Sequence, residues 1–477
     1  MMKAQDLRIT LRTLTPHAFR GLWTKLESSP HGERLLRGAF WSVVGTLASR
    51  ALGLAAAILA ARLVGKLVYG ELGIIQSTVG MLGTLAGFGM STTTAKFVAE
   101  LRGKDPAKAG RIIALSSITC WGISLGLAAL LVFLAPWLCL RTLAAPQLTG
   151  YLRLSTPLLV LGGINGAQLG VLIGFEAFKS IARVNSVTGL LNFPLVVGGA
   201  ILFGLTGIIC GMVLAQACGC LLNLRALRHE ARRHRVDISF SSCLAELPIL
   251  WQFSIPAVLT EIVISVVGWA TAAMLVRRPN GLSEMGAFGA ANQWFSAALM
   301  LPMMIGGAAL PMFSERVGAG DRANSIKLLW MSIKLNGLIV LPIVVLGCLA
   351  SPYIMRSYGK GFGQDWPTLA AVLITAGILS LEFPVGEYLA ASGRMWLSFS
   401  SNVGWGVVFV GANALLLRWG SLGLASARLL AYFVHAAFIF TIVIGFVLVR
   451  DRTVSSCRER ITLTKIADDC VSPRNEA

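Results

Sequence analysis

Charge is what this sequence has least of. Only 13% of its 477 residues are Asp, Glu, Lys or Arg, about half the share usual in a soluble domain, and acidic residues are the scarcer kind, 22 against 41 basic. With 55% hydrophobic residues and a mean hydropathy of +0.73, a water-soluble chain is excluded and the bilayer is its expected solvent. Histidine numbers only five. The nine cysteines lie mostly in apolar segments, as Cys120, Cys210, Cys218, Cys220 and Cys348 do, with no Cys-x-x-Cys pair. That removes a disulfide framework and a zinc site, and no metal is expected. Gly359-Lys-Gly-Phe-Gly363 lacks the Gly-Lys-Ser/Thr that opens a phosphate-binding helix, which excludes an ATP-driven pump in this chain alone. The net charge of +19 would suit nucleic acid only on a water-exposed basic domain interleaved with aromatics, and none is visible. No nucleophile and base pair is apparent either, so no catalytic residue is assigned and a non-enzyme is expected.

What is present is a series of apolar runs, each near the roughly twenty residues that cross ~30 Å of hydrocarbon. They predict an all-α integral membrane protein with helices near 38–63, 69–94, 111–136, 152–174, 181–204, 206–227, 249–276, 285–311, 327–350, 366–391, 396–417 and 421–449. Basic residues gather in alternate connections: Lys96, Arg102, Lys104, Lys108 and Arg111 in one, Arg225, Arg228, Arg232, Arg233 and Arg235 in another. Positive connections stay on the cytoplasmic face, so both termini are expected there. Residues 1–37 carry seven Lys and Arg without an apolar core. They are read as a cytoplasmic segment rather than a cleaved leader. The remaining divisions are a bundle at 38–227, a basic linker at 228–248, a second bundle at 249–449 and a tail at 450–477. The basics of the linker either grip anionic headgroups or anchor topology.

A shift of 216 residues superimposes the halves. Gly65, Gly70, Gly73, Phe97, Asp105 and Pro136 fall on Gly281, Gly286, Gly289, Phe313, Asp321 and Pro352. Six helices per half make the repeat parallel, about an axis along the membrane normal, which suits two bundles rocking around a central cavity. The charged turns at 95–111 and 312–327 become twin hinges at equivalent positions.

The stretch FGMSTTTAKFVAELRGKDPAKAGRIIALS from Phe88, with GFEAFKSIARVNSV from Gly174, resembles the polysaccharide-transporter (Wzx-type) family of the multidrug/oligosaccharidyl-lipid/polysaccharide flippase superfamily. The likeness covers roughly residues 36 to 450. It implies a flippase of the bacterial inner membrane that moves undecaprenyl-diphosphate-linked oligosaccharide by alternating access, for exopolysaccharide or O-antigen synthesis. Membrane lipids and a polysaccharide polymerase or export proteins would be its partners, with H+ or Na+ as coupling ion and no other cofactor. A cation-coupled multidrug antiporter of the same superfamily is the alternative, and it would need an acidic cavity.

Ionisable residues at membrane depth are costly and mark function by default. Arg50, deep in the first span, and Glu261, equally deep in the seventh, coincide when Phe40 is set on Trp251. Arg50 either meets the lipid diphosphate, whose oxygens match a guanidinium fork, or forms a permanent ion pair with Glu261. Glu261 in turn either neutralises Arg50 in the empty state or takes a coupling cation. Glu382, near mid-span in the tenth helix, is a protonation or sodium candidate. Arg428 is a gating candidate within snorkelling reach of a helix end. His435, alone on its helix, reads as a packing residue.

Gln76 and Ser77 match Asn292 and Gln293 at the 216 offset, and Asn165 and Gln168 sit one turn apart. These amides either line a glycan cavity or tie helices together. Trp269, Trp294 and Trp405 are candidate stacking platforms. Pro256, Pro302 and Pro384 are expected to kink their helices.

Overall fold

The structure is a computed structural model that describes residues 30–241, 243–247 and 255–442. Most of the N-terminal basic segment, the first residues of the expected seventh helix with Trp251, the end of the twelfth and the tail lie outside the described residues.

Every regular element among them is a helix. The first half comprises α1 (Pro30–Gly87), α2 (Met90–Leu101), α3 (Pro106–Trp137), α4 (Leu148–Leu154), α5 (Thr156–Gly174) and α6 (Phe178–Arg233). The second comprises α7 (Ile255–Val276), α8 (Gly281–Gly318), α9 (Arg322–Ser357), α10 (Trp366–Ala391), α11 (Met395–Leu416) and α12 (Gly420–Ile442). In hydrocarbon each backbone N–H and C=O must be paired within the segment, which is why such apolar runs become helices.

Among the described residues, seven stretches are long and apolar enough to cross a membrane. Three of them double back, at Gly65 within α1, at Gly204 within α6 and between α11 and α12. With α7 and α8 this gives the twelve expected crossings. Gly65 (φ 81°) and Gly204 (φ 56°) hold backbone conformations that side chains disfavour, so each reverses a helix in a single residue.

The boundaries differ from expectation in informative ways. The second limb of α1 ends at Gly87 and resumes as α2 after Phe88 (φ 42°) and Gly89 (φ 61°), whereas α8, its counterpart, runs unbroken. α6 continues to Arg233, into the expected linker. Pro302 and Pro384 sit inside continuous helices and Pro256 falls in the first turn of α7, and the helix reversals at 65 and 204 are at glycine.

The matched aspartates perform the same task. Asp105 Oδ1 accepts from the Lys108 amide at 2.9 Å and Asp321 Oδ1 from the Asn324 amide at 3.3 Å, capping α3 and α9. The Asn324 side chain donates to Asp321 as well, at 2.8 Å, and these bonds hold the Asp321 carboxyl below its usual range.

The halves share a core at only one end. The end bearing these capped turns is the basic end. Near the opposite end, one hydrophobic cluster runs through both halves, from Tyr69, Ile74 and Leu148 to Tyr358, Phe362 and Leu424. At the basic end the clusters separate, one around Ile113, Leu172 and Phe175, another around Phe313, Val385 and Tyr388.

Candidate functional site

The halves meet where the second limb of α1 crosses the start of α8. A Cβ on Gly70 would collide with the Leu282 carbonyl oxygen, and one on Gly286 with the Lys66 carbonyl oxygen, so the two matched glycines let the backbones touch. Beside them Lys66 pairs with Asp365 at 2.7 Å, and Tyr69 packs on Tyr358 and Phe362 with ring centroids 6.3 and 6.2 Å away. Trp294 donates to the Tyr358 hydroxyl at 3.1 Å, which makes it part of this closure rather than a stacking platform. At the basic end the pairs Arg102–Glu176 and Arg111–Glu246 join elements of the first half.

Two chambers lie between the halves. The first, of about 460 Å³, is lined by Arg50, Gln76, Asn185, Thr188, Asn192, Gln216 and Gln293, with Tyr69 as its one aromatic residue. Ser49 donates to the Asn185 carbonyl at 3.0 Å and a Cβ on Gly189 would meet Ser49, so the first limb of α1 packs tightly on α6 and sets Arg50 at the rim. The second chamber, of about 430 Å³, is lined by Ser77, Ser265, Trp269, Phe288, Asn292, Gln293, Trp405, Phe409, Arg428 and Tyr432. Gln76 and Gln293 belong to both. Each chamber carries one arginine, and among the described residues lining them there is no carboxylate.

Of the residues expected from sequence, Arg50, Gln76, Asn292, Gln293 and Arg428 converge on this cavity. Glu261 is exposed one turn from Ile264 and Ser265 of the second chamber, and no ion pair joins it to Arg50 in this state. Arg428 donates to Asn292 Oδ1 at 2.9 Å while its guanidinium lies 3.7 Å from the Phe295 ring centre. Asn165 and Gln168 line neither chamber. Asn165 accepts from Asn223 at 2.6 Å between α5 and α6, and Gln168 is buried with an unpaired Oε1.

Glu382 is buried behind the second chamber and meets His435 Nδ1 at 2.7 Å, while His435 Nε2 lies 3.3 Å from Ser401 Oγ. His435 is therefore not a solitary packing residue. Tyr432, one turn away, packs on Trp405 at 5.1 Å and lies edge-on to His435 at 6.5 Å, linking this cluster to the chamber wall. Of the candidate platforms, Trp269 and Trp405 line the cavity, and Trp269 also ties the halves by donating to Thr78 at 3.0 Å.

Sequence reasoning missed Asn185, Thr188 and Asn192. Their spacing of three and seven along one helix is a polar stripe on a single face, a signal that was present.

A family model described as "Polysaccharide biosynthesis protein" matches residues 35–317, and one described as "MatE" matches residues 256–393. The chain is 26% identical over 188 residues to the EPS I polysaccharide export inner membrane protein EpsE of Ralstonia nicotianae, a match covering 38% of this chain. It spans only 42% of the length of that relative. It is 24% identical over 373 residues to the succinoglycan biosynthesis transport protein ExoT of Rhizobium meliloti, covering 76% of this chain and 70% of ExoT. Among solved structures, an inward-facing multidrug resistance MATE family transporter of the MOP superfamily superimposes with TM-score 0.70 at 17% identity, over 87% of this chain and 96% of the other. Lipid II flippase MurJ in an inward closed conformation gives 0.66 at 14%, over 91% and 93%. The fold is that of these transporters.

Proposed function

The chain belongs to the polysaccharide biosynthesis protein family, and from that membership we propose that it flips lipid-linked oligosaccharide, the glycan carried on undecaprenyl diphosphate, across the bacterial inner membrane. The observation that carries this reading is a cavity in which amides, hydroxyls and aromatic rings are set among aliphatic side chains and which holds two arginines and, among the described residues, no carboxylate. Sugars are recognised by such amides and ring faces, and a diphosphate by a guanidinium fork. A cation-coupled drug antiporter would need the opposite charge in the same place.

The basic end faces the cytoplasm by the positive-inside rule. In this state the opposite end is sealed by Gly70 against α8, by Lys66–Asp365 and by the Tyr69 cluster. The separate cores at the basic end support a cavity loaded from the cytoplasmic side, with alternating access by rocking of the halves. Arg50, exposed at the rim and without an ion-pair partner among the described residues, receives the diphosphate. The Glu382–His435 pair takes up the coupling proton, since two ionisable groups in contact at membrane depth behind the second chamber mark a candidate proton site.

The test is the lipid-linked oligosaccharide pool of cells depleted of the protein. Its accumulation, relieved by wild type but not by Arg50→Ala present in the membrane at normal level, is the expected result. Depleted cells that accumulate no lipid-linked sugar would overturn the reading.

A further inference from the structure

The two chambers differ in chemistry as well as position. The first sets several amides among aliphatic side chains, has one aromatic residue and contains Arg50. The second presents Trp269, Phe288, Trp405, Phe409 and Tyr432, and these rings suit the apolar faces of sugars. Arg428 lies among them.

Neutral sugars do not explain Arg428. Its guanidinium carbon lies 3.7 Å from the Phe295 ring centre, one N–H is donated to Asn292 at 2.9 Å, and Tyr432 is a further hydrogen-bond partner, all of them neutral groups. An arginine has five N–H donors. Among the described residues no carboxylate lies within ion-pairing distance of it, and Glu382, on the neighbouring helix, is engaged with His435. An uncompensated cation at this depth is expensive. Asn292 and Phe295 nonetheless fix it at the wall of a chamber built for sugars, so its missing partner is an anion brought by the substrate.

Resting on the flippase reading above, we propose that Arg428 binds a carboxylate carried by a sugar of the transported glycan, so that the second chamber selects an acidic oligosaccharide while Arg50 in the first holds the lipid diphosphate. A carboxylate accepts two parallel N–H bonds from one guanidinium, and the aromatic walls orient the ring that bears it. Asn292 acts as a positioning residue, keeping the guanidinium turned toward the chamber.

The experiment measures dissociation constants of the full chain in lipid nanodiscs for three radiolabelled probes. These are a polyprenyl-diphosphate disaccharide ending in glucuronic acid, the same lipid disaccharide ending in glucose, and undecaprenyl diphosphate without sugar. Wild type is expected to bind the acidic disaccharide roughly tenfold or more tightly than the neutral one, the scale of a charge-assisted hydrogen bond. Arg428→Gln is expected to bind the two disaccharides alike, and Arg428→Lys to keep part of the preference. Arg50→Gln should weaken all three probes together.

Equal binding of both disaccharides by wild type, with Arg50 still required, would overturn the acidic-sugar assignment and leave the flippase reading standing. The same Arg428 dependence for undecaprenyl diphosphate alone would assign this arginine to the lipid phosphate and also overturn it. Failure of wild type to bind any probe would overturn both.

Discussion

Gly70→Ala is the smallest change that tests how the opposite end closes. The new Cβ would collide with the Leu282 carbonyl oxygen and lie 2.8 Å from the Gly286 amide nitrogen. Both obstacles are backbone, so no side chain can swing aside and α1 must move off α8. Inserting one methyl into such a contact costs about 1–3 kcal/mol. The cost falls on the closed arrangement alone, because the crossing is parted when that end opens, so the closed-to-open ratio should fall about 5- to 140-fold. Nitroxide labels at Leu63 and Lys360, both exposed on that end, would report the change as a longer distance in nanodiscs by pulsed electron resonance. Gly83→Ala, where nothing lies within 4 Å of the added methyl, is the control on the same helix. A distance distribution in Gly70→Ala identical to wild type would refute the idea that this crossing is the seal.

Other substitutions separate the remaining roles. Arg50→Lys keeps the charge but loses the fork, and should retain partial flipping in a proteoliposome assay where Arg50→Gln retains almost none. Glu382→Gln should abolish transport driven by an imposed pH step while the protein still binds lipid-linked sugar; transport that follows the gradient as in wild type would remove the pair from coupling. Asp105→Ala and Asp321→Ala each delete one helix cap and should each cost about 1 kcal/mol in thermal unfolding, since each removes a side-chain acceptor from the first turn of a helix.

Much of this architecture was legible because the bilayer leaves few choices. Twelve apolar runs, the alternation of basic turns and the repeat at 216 residues follow from composition and period, and the structure places helices accordingly. Local geometry was less legible. The break at Phe88 and Gly89 has no counterpart in α8, where Met304 and Ile305 stand at the matched positions and a β-branched residue replaces the glycine that adopts the left-handed backbone. His435 and Glu382 lie 53 residues apart on different helices, and no spacing rule could pair them. Asn165 and Gln168 fail to reach the cavity for a related reason. An amide in an apolar helix must find a partner, but sequence does not say whether that partner is a ligand or, as for Asn165, another amide.

The repeat also explains which site residues could be found. In a parallel two-fold arrangement, residues close to the axis meet their own counterparts, and residues far from it meet strangers. Gly70 touches Gly286, its match in the alignment, and Gln76 and Gln293, which are one position out of register with each other, share both chambers, so near the axis the two halves meet through closely corresponding positions. Away from the axis the halves are free to diverge. There the first half presents Asn185, Asn192 and Gln216 where the second has Ser401, Val408 and Tyr432, and the second presents Trp405 and Arg428 where the first has Gly189 and Met212. A symmetric seal joined to asymmetric chambers suits a carrier whose cargo has two unlike parts, one a constant lipid phosphate and the other a glycan. Exchange of residues near the axis should therefore alter the rate for every substrate, and exchange in the second chamber should alter which substrate is carried.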